Sequence, residues 1–136
     1  EKRIAFNLEI PPKGKVFVRA DEVRLRMVFQ NLIDNAFKFT PEGGSVTISY
    51  QEKDTFCEFS IADSGIGISA EELPRLFTKF FRARNAVAMD VHGTGLGLYI
   101  VANIITTHGG AINVTSQKDK GTTFLFTLPL AKISKQ

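Results

Sequence analysis

The chain has 136 residues, enough for one domain that buries about two-thirds of its unfolded surface, and its 43% hydrophobic and 23% charged residues are ordinary for a globular protein. Its single cysteine, Cys57, excludes an internal disulfide and a CxxC metal site, and no apolar run approaches the roughly 20 residues of a membrane-spanning helix. The formal net charge of +3 comes from dispersed Lys and Arg, so no stripe of basic and aromatic residues indicates a nucleic-acid face.

The first third of the chain alternates apolar and polar residues before it becomes helical. The segment IAFNLEI (4–10) predicts a strand, PPKG interrupts it, and KVFVRA (15–20) predicts a second short strand. Asp21 is then expected to cap a helix over residues 22–39. This helix should end near Thr40, because Pro41 disfavours helical geometry in the residue before it.

The middle of the chain predicts a hairpin, a glycine-rich loop and a second helix. The alternating segments SVTISY (45–50) and FCEFSIA (56–62) are joined by a polar turn and should pair as a hairpin. The loop DSGIGIS (63–69) follows, and Ser69 is expected to cap a helix over residues 70–81.

The last third predicts a long irregular segment, a third helix and a closing hairpin. Residues 82–95 show no clear period, which in a compact domain indicates a functional lid or a disordered loop. LGLYIVANIITTHGG (96–110) predicts an apolar helix ending at a glycine pair, and AINVTSQ and TTFLFTLPL predict the hairpin. Together the elements predict an α+β fold, a two-layer α/β sandwich with a mixed sheet of about five strands and three helices on one face.

Two glycine-rich segments bear on function. No stretch fits the GxxxxGK[ST] P-loop, which excludes the commonest nucleotide-binding fold. GIGISA (65–70) matches the dinucleotide fingerprint GxGxxA, but no acidic residue follows at the spacing that fold requires. In GTGLGL, Gly93, Gly95 and Gly97 precede or begin the apolar helix, where they form an anion site or serve as a hinge with close packing.

Polar side chains in two other segments suggest the rest of a site. Asp63 follows an apolar strand, and its acceptor-only carboxylate either binds the amino group of adenine or bonds its own backbone in a turn. Asn31, Asn35 and Lys38 share one edge of an otherwise apolar helix, which is a solvated face or a site. The amide oxygens suit Mg²⁺ with its waters and phosphate oxygens, and the ammonium suits a phosphate. Taken together, the segments indicate an ATP site.

Four segments occur in the order NLIDNAFKFT, DSGIGI, LFTKFFR and GTGLGL. They resemble, in that order, the N-box, the first glycine box, the phenylalanine box and the second glycine box of the catalytic ATP-binding domain of two-component sensor histidine kinases. The resemblance covers residues 2–129 and implies the Bergerat-type fold with a flexible ATP lid over 82–95. It implies one domain over 1–136, with its core at 2–130 and a tail at 131–136.

The resemblance also implies roles for individual residues. Asn35 would be the direct Mg²⁺ ligand with Asn31 supporting it, and Lys38 and Arg82 would contact phosphates. Asp63 would hold the adenine amine. The other expected nucleotide contacts are Phe39, Gly65, Gly67 (as clearance for the base), Ile68, Gly93, Thr94, Gly95, Leu96, Gly97, Leu98 and Thr123, and the residues expected to pack the base of the lid are Phe77 and Phe80.

By this resemblance the chain would transfer the γ-phosphoryl group of ATP to a histidine on a separate dimerisation domain, in cis or in trans, with a response regulator downstream. ATP-hydrolysing relatives carry Glu at the position of Asn31, and an amide cannot act as a general base, so transfer is favoured over hydrolysis. His92 and His108 lack the surroundings of an acceptor histidine, so the chain alone should not phosphorylate itself. The expected location is the cytoplasm, with no nucleic-acid partner and no membrane contact by this domain.

Two other functions are compatible with the same motifs. An anti-sigma-type serine kinase uses the same fold, and the discriminating feature would be a histidine-bearing helix upstream of Glu1. A nucleotide-binding regulatory module that has lost transfer activity is the other. The joint presence of Asn35, Lys38, Asp63, Arg82 and all three lid glycines disfavours it. A DNA-binding role would require salt-dependent binding to random duplex.

Overall fold

The computed structural model describes residues 3–11, 15–82 and 97–131. Its strands are β1 (Ala5–Glu9), β2 (Ser45–Glu52), β3 (Phe56–Asp63), β4 (Ile112–Gln117) and β5 (Gly121–Pro129). They form one sheet in the order β1-β2-β3-β5-β4, in which β1 runs parallel to β2 and every other neighbouring pair is antiparallel. The predicted mixed sheet of about five strands and both predicted hairpins are therefore confirmed.

Two α-helices cover one face of this sheet. They are α1 (Glu22–Phe39) and α2 (Gly97–Thr107), and a short 3₁₀ helix spans Leu73–Arg75. The core between the layers contains the buried residues Val28, Leu32 and Ala36 of α1, Val101, Ile104 and Ile105 of α2, and Cys57, Phe59, Ile61, Phe124, Phe126 and Leu128 of the sheet. These two layers confirm the α+β sandwich.

Aromatic packing anchors α1 on the centre of the sheet. The rings of Phe59 and Phe126, directly paired on β3 and β5, stack with centroids 4.9 Å apart. Phe29 of α1 meets both rings edge-on at 5.5 and 5.4 Å. Burial of side chains of this size stabilises the fold by roughly 1.5–3 kcal/mol each.

Burial also raises the pKa of the neighbouring Cys57 thiol to about 11, so this thiol is an inert part of the core.

The bounds of α1 agree with the prediction because both ends are capped by side chains. The Asp21 carboxylate accepts hydrogen bonds from the backbone N–H groups of Val23 and Arg24, which satisfies two donors of the first turn. At the other end the buried Thr40 hydroxyl donates to the Ala36 carbonyl at 2.6 Å. The helix is thus held at the point where the chain turns toward β2.

The predicted strand over 15–20 is wrong. That segment forms an isolated bridge between Val18 and Leu130, with hydrogen bonds from Arg19 N–H to the Pro129 carbonyl and from Ala131 N–H to the Phe17 carbonyl. Pro129 has no N–H, so the ladder loses a donor there and does not extend into a strand.

The predicted helix over 70–81 is also wrong, and the helical layer holds two α-helices instead of three within the described ranges. The chain instead advances in tight turns, in which Glu72, Leu76 and Thr78 each donate to the carbonyl three residues earlier. Pro74 lacks the N–H that would continue an α-helical pattern. Ser69, the expected cap, donates its hydroxyl to the Glu72 carboxylate at 2.9 Å.

The helix predicted over 96–110 is observed as α2, and its glycine stop is confirmed. Gly109 has a φ of +81°, and the N–H groups of Gly109 and Gly110 donate to the carbonyls of Thr106 and Ile105. His108, beside this stop, accepts a hydrogen bond at Nε2 from the Asp21 N–H and lies with Nδ1 2.7 Å from the Ile104 carbonyl. His108 therefore links the end of α2 to the start of α1. None of the helices in the described ranges is long and apolar enough to span a bilayer.

Candidate functional site

Asp63 lies at the end of β3 on the helix-covered side of the sheet. One carboxylate oxygen, Oδ1, accepts hydrogen bonds from the backbone N–H groups of Gly65 at 2.8 Å and Thr122 at 3.3 Å. No described residue donates to the other oxygen, Oδ2. Burial raises the pKa of Asp63 above its ordinary value, an effect that these two hydrogen bonds oppose. The carboxylate is thus oriented by the backbone and retains an acceptor for a ligand.

The loop after Asp63 is docked between the end of α1 and the β4–β5 turn. The N–H of Ile66 donates to the carbonyl of Phe39, and the carbonyl of Ile66 accepts from the N–H of Asp119. An added Cβ at Gly65 would collide with the Phe39 carbonyl oxygen, so only glycine allows this approach. The loop is therefore tied to the same helix that carries the asparagine pair.

Ser116 fixes the far end of this loop. Its hydroxyl accepts from the Ile68 N–H and lies 2.8 Å from the Gly121 carbonyl, to which it donates. Because its proton is used there, the Thr122 hydroxyl is the donor in the 2.8 Å contact between the two hydroxyl oxygens. Thr122, buried and paired with Asp63 across β3 and β5, is thereby held beside the carboxylate.

Gly67 is required by this docking. Its φ is +70°, and an added Cβ would overlap the carbonyl oxygen of Gln117 on the β4–β5 hairpin. The sequence interpretation assigned Gly67 to clearance for a base, whereas the contact in the structure is with the protein's own backbone.

Replacement of Gly67 by alanine is expected to lower the free energy of unfolding by about 2–4 kcal/mol, from left-handed strain plus the displaced turn. Urea denaturation of G67A measures this loss. The matched control is G43A, because Gly43 has a φ of +88° but nothing within 4 Å of an added Cβ. The control should lose only about 1 kcal/mol. Equal losses in the two variants would show that the Gln117 contact is unimportant.

The polar edge of α1 faces the start of α2. Asn31 and Asn35 are half-buried, and the Nδ2 of Asn31 donates to the Met27 carbonyl at 2.8 Å. That bond turns Asn31 Oδ1 toward α2, where it would lie 2.9 Å from a Cβ added at Gly97. The Asn35 side chain makes no hydrogen bond to another described residue. Asn31 therefore borders the start of α2, and Asn35 lies one turn further along α1; two amide oxygens at this spacing are a donor set that fits Mg²⁺ with its waters.

The remaining predicted residues differ in their exposure. Lys38 and Arg82 are exposed, and Ile68 and Leu98 are half-buried and pack against the core. Gly93, Thr94, Gly95 and Leu96 lie outside the described residues, as do His92 and nearly all of the predicted lid.

Two placements correct the sequence interpretation. Thr123 pairs with Ala62, so strand alternation puts its side chain on the face of the sheet opposite Asp63, and Thr122 occupies the position assigned to it. Phe77 does pack, edge-on to Phe124 with centroids 6.1 Å apart, but Phe80 is 65% exposed. Thr122 and Ser116 were missed because strand pairing brings them to the loop. The two adjacent threonines in GTT indicated that a threonine contributes to the site, and the strand register determines which of the two faces Asp63.

A comparison with known protein families matches most of the chain. The family model of histidine kinase-, DNA gyrase B- and HSP90-like ATPases matches residues 20–132. Among curated proteins, the sensor histidine kinase WalK of Bacillus subtilis is 37% identical over 131 residues, and the adaptive-response sensory kinase SasA of Rippkaea orientalis is 44% identical over 133 residues. These matches cover 95% and 97% of the chain. The chain spans 21% of the length of WalK and 33% of that of SasA.

Solved structures of histidine kinases are also similar to this chain. A mycobacterial sensor histidine kinase, MprB, superposes with a TM-score of 0.84 at 32% identity, covering 96% of this chain and 86% of MprB. Full-length ShkA in complex with AMPPNP has a TM-score of 0.77 at 33% identity, covering 98% of this chain and 26% of ShkA. Histidine kinase ThkA in complex with the response regulator TrrA has a TM-score of 0.76 at 30% identity, covering 94% of this chain and 34% of that chain.

Proposed function

The chain belongs to the family of histidine kinase-, DNA gyrase B- and HSP90-like ATPases, among the catalytic domains of sensor histidine kinases, and from this premise we propose that it binds MgATP and transfers the γ-phosphoryl group to a histidine. The acceptor histidine lies on a separate dimerisation domain, supplied by the parent chain or its dimer mate. The observation that carries the proposal is the backbone-oriented carboxylate of Asp63, whose loop is tied to Phe39 at the end of the helix that also carries Asn31 and Asn35.

The adenine end of the site rests on Asp63. Its Oδ2 accepts the exocyclic amine of adenine, while the carbonyl of guanine at the same place would meet a second acceptor and be repelled. Thr122 would contribute to the same end of the site, because its backbone N–H donates to the carboxylate and its hydroxyl is held by Ser116. The binding of AMPPNP, an ATP analogue, by the similar protein ShkA supports an adenine nucleotide as the ligand.

The phosphate end rests on α1 and the start of α2. Asn35 would ligate Mg²⁺ directly and Asn31 would support it, and the ion would neutralise phosphate charge. Lys38 and Arg82 would contact phosphates from the exposed rim, and Gly93, Gly95 and Gly97 would wrap them. Neither asparagine can act as a general base, so positioning and charge neutralisation are what these residues contribute to phosphoryl transfer.

A response regulator is the proposed downstream partner, supported by the complex of the similar kinase ThkA with TrrA. Because the chain spans at most a third of the two curated relatives above, the dimerisation domain belongs to the remainder of the parent protein in this proposal.

The test begins with calorimetric titration of the purified chain with MgATP and MgGTP. We expect binding of ATP and no comparable binding of GTP. Radiolabelled ATP is then supplied with a separately purified dimerisation domain, and label should appear on that domain's histidine and not on this chain. Absence of ATP binding would leave a degenerate regulatory module as the better function, and label on a serine would favour the serine kinase.

A further inference from the structure

Lys79 lies between two aromatic rings that come from different parts of the chain. Its Nζ is 5.6 Å from the ring centroid of Phe80 and 5.7 Å from that of Tyr99. Both distances are within the range of a cation–π interaction. Tyr99 is the third residue of α2, so this arrangement, which we term the Lys79 bridge, joins the segment before Arg82 to the first turn of α2.

The segment that carries Lys79 is held against the sheet, so the bridge starts from a fixed point. Leu76 is buried, Phe77 packs edge-on against Phe124, and the Arg75 guanidinium lies 5.0 Å from the Phe81 ring centroid. Phe80 itself has a φ of +66°, an uncommon conformation for a large side chain. Its strained backbone is therefore retained between anchored neighbours, and its exposed ring is available to Lys79.

The ammonium of Lys79 lies against the ring of Tyr99, which belongs to the first turn of α2. The first turn of a helix carries partial positive charge, so a nearby ammonium is repelled unless something offsets it. The faces of Phe80 and Tyr99 supply negative potential and provide that offset. An anion at this end of α2 would be attracted by both the ammonium and the partial positive charge of the first turn.

We propose that Lys79 is a positioning residue for the nucleotide polyphosphate. The Lys79 bridge fixes the first turn of α2 relative to the segment that ends at Arg82, and it keeps a positive charge against the Tyr99 ring of that turn. This inference rests on the proposed binding of MgATP. It predicts that the bridge contributes to recognition of the triphosphate and not to recognition of adenosine, which depends on Asp63 at the end of β3.

The test compares MgATP with AMP by calorimetry on the whole 136-residue chain. K79M should weaken MgATP binding about three- to tenfold and leave AMP binding within about twofold. K79R keeps a cation and Y99F keeps a ring, so both should bind MgATP within about twofold of the unmodified chain. Y99L should resemble K79M, and the double variant should be no weaker than either single variant.

Two measurements separate this role from a general effect on folding or charge. The matched control K53M removes a lysine from the β2–β3 turn and should leave both affinities unchanged. In NMR spectra, ring currents should shift the ε-methylene protons of Lys79 upfield, and Y99L should reduce that shift without any nucleotide present.

Distinct outcomes overturn distinct claims. If the unmodified chain binds no MgATP, the proposed function fails and this inference fails with it. If the chain binds MgATP but K79M binds it equally well, or loses ATP and AMP to the same degree, only the positioning role is refuted. An unshifted Lys79 methylene, or Y99F as weak as Y99L, would refute the bridge itself.

Discussion

Replacing Asp63 with asparagine is expected to weaken MgATP binding by about 10- to 100-fold, because the substitution removes a charge-assisted hydrogen bond to the base. Oδ1 of the new amide can still accept from the N–H groups of Gly65 and Thr122. The atom left for the ligand is then an NH₂ donor, which opposes the amine of adenine and suits the carbonyl of guanine. The ATP-to-GTP affinity ratio should therefore fall in calorimetric titrations with both nucleotides.

The same substitution should leave the ligand-free fold at least as stable at neutral pH. Burial raises the pKa of Asp63 above its ordinary value of 3.8, so the folded state holds this proton more tightly than the unfolded state does. The contribution of Asp63 to stability is then largest below 3.8 and is lost as the pH rises through the folded-state pKa, opposite in sign to a salt-bridged aspartate. Thermal unfolding should be measured from pH 7 down to below 3.8. Any gain in the stability of D63N over the unmodified chain at pH 7 should shrink toward low pH.

A matched control separates the ligand effect from a general loss of charge. Asp54 is exposed in the β2–β3 turn, and D54N should leave the affinities for both nucleotides unchanged. Equal affinity of the unmodified chain for ATP and GTP would contradict the role of Asp63 in reading the base. Loss of binding together with loss of fold in D63N would instead make its carboxylate a structural group.

Local sequence patterns were sufficient to predict the helix and the hairpins whose ends are determined by neighbouring residues. The bounds of α1 follow from the Asp21 cap and the Thr40-Pro41 stop, and both hairpins follow from period-two segments joined by short turns. Two predicted elements were wrong, because the structure of those segments depends on a distant strand partner or on a missing backbone N–H group. Residues 15–20 alternate like a strand but pair only at the Val18 bridge to Leu130, and Pro74 interrupts an otherwise helical pattern.

The candidate site shows the same division. Asp63 and the asparagine pair are identifiable from their motifs, since a polar edge on an apolar helix and a carboxylate before glycines are visible in one segment. Ser116, Thr122 and the Lys79 bridge are not, because each depends on residues that the sheet register or the packing of α2 brings together. The choice of Thr123 over Thr122 failed for that reason, since a one-residue shift in a strand places a side chain on the other face.

The largest effect on transfer is expected at Asn35, where alanine should lower the rate of phosphoryl transfer to a supplied dimerisation domain by about 100-fold or more. Because the Asn35 side chain bonds no described residue and alanine favours helices more than asparagine does, α1 should be at least as stable in N35A. A loss of transfer would therefore reflect the metal and not the fold.

Titrations with and without Mg²⁺ isolate this role. The unmodified chain should gain ATP affinity on addition of Mg²⁺, whereas N35A should bind metal-free ATP normally and gain little. N31A should show a smaller loss, since Asn31 is already bonded to the Met27 carbonyl and would act through water. The exposed Asn103 on α2 provides the control N103A, which should behave like the unmodified chain. If N35A lost affinity equally with and without Mg²⁺, Asn35 would contact the nucleotide itself, and the metal would have to be held by other groups.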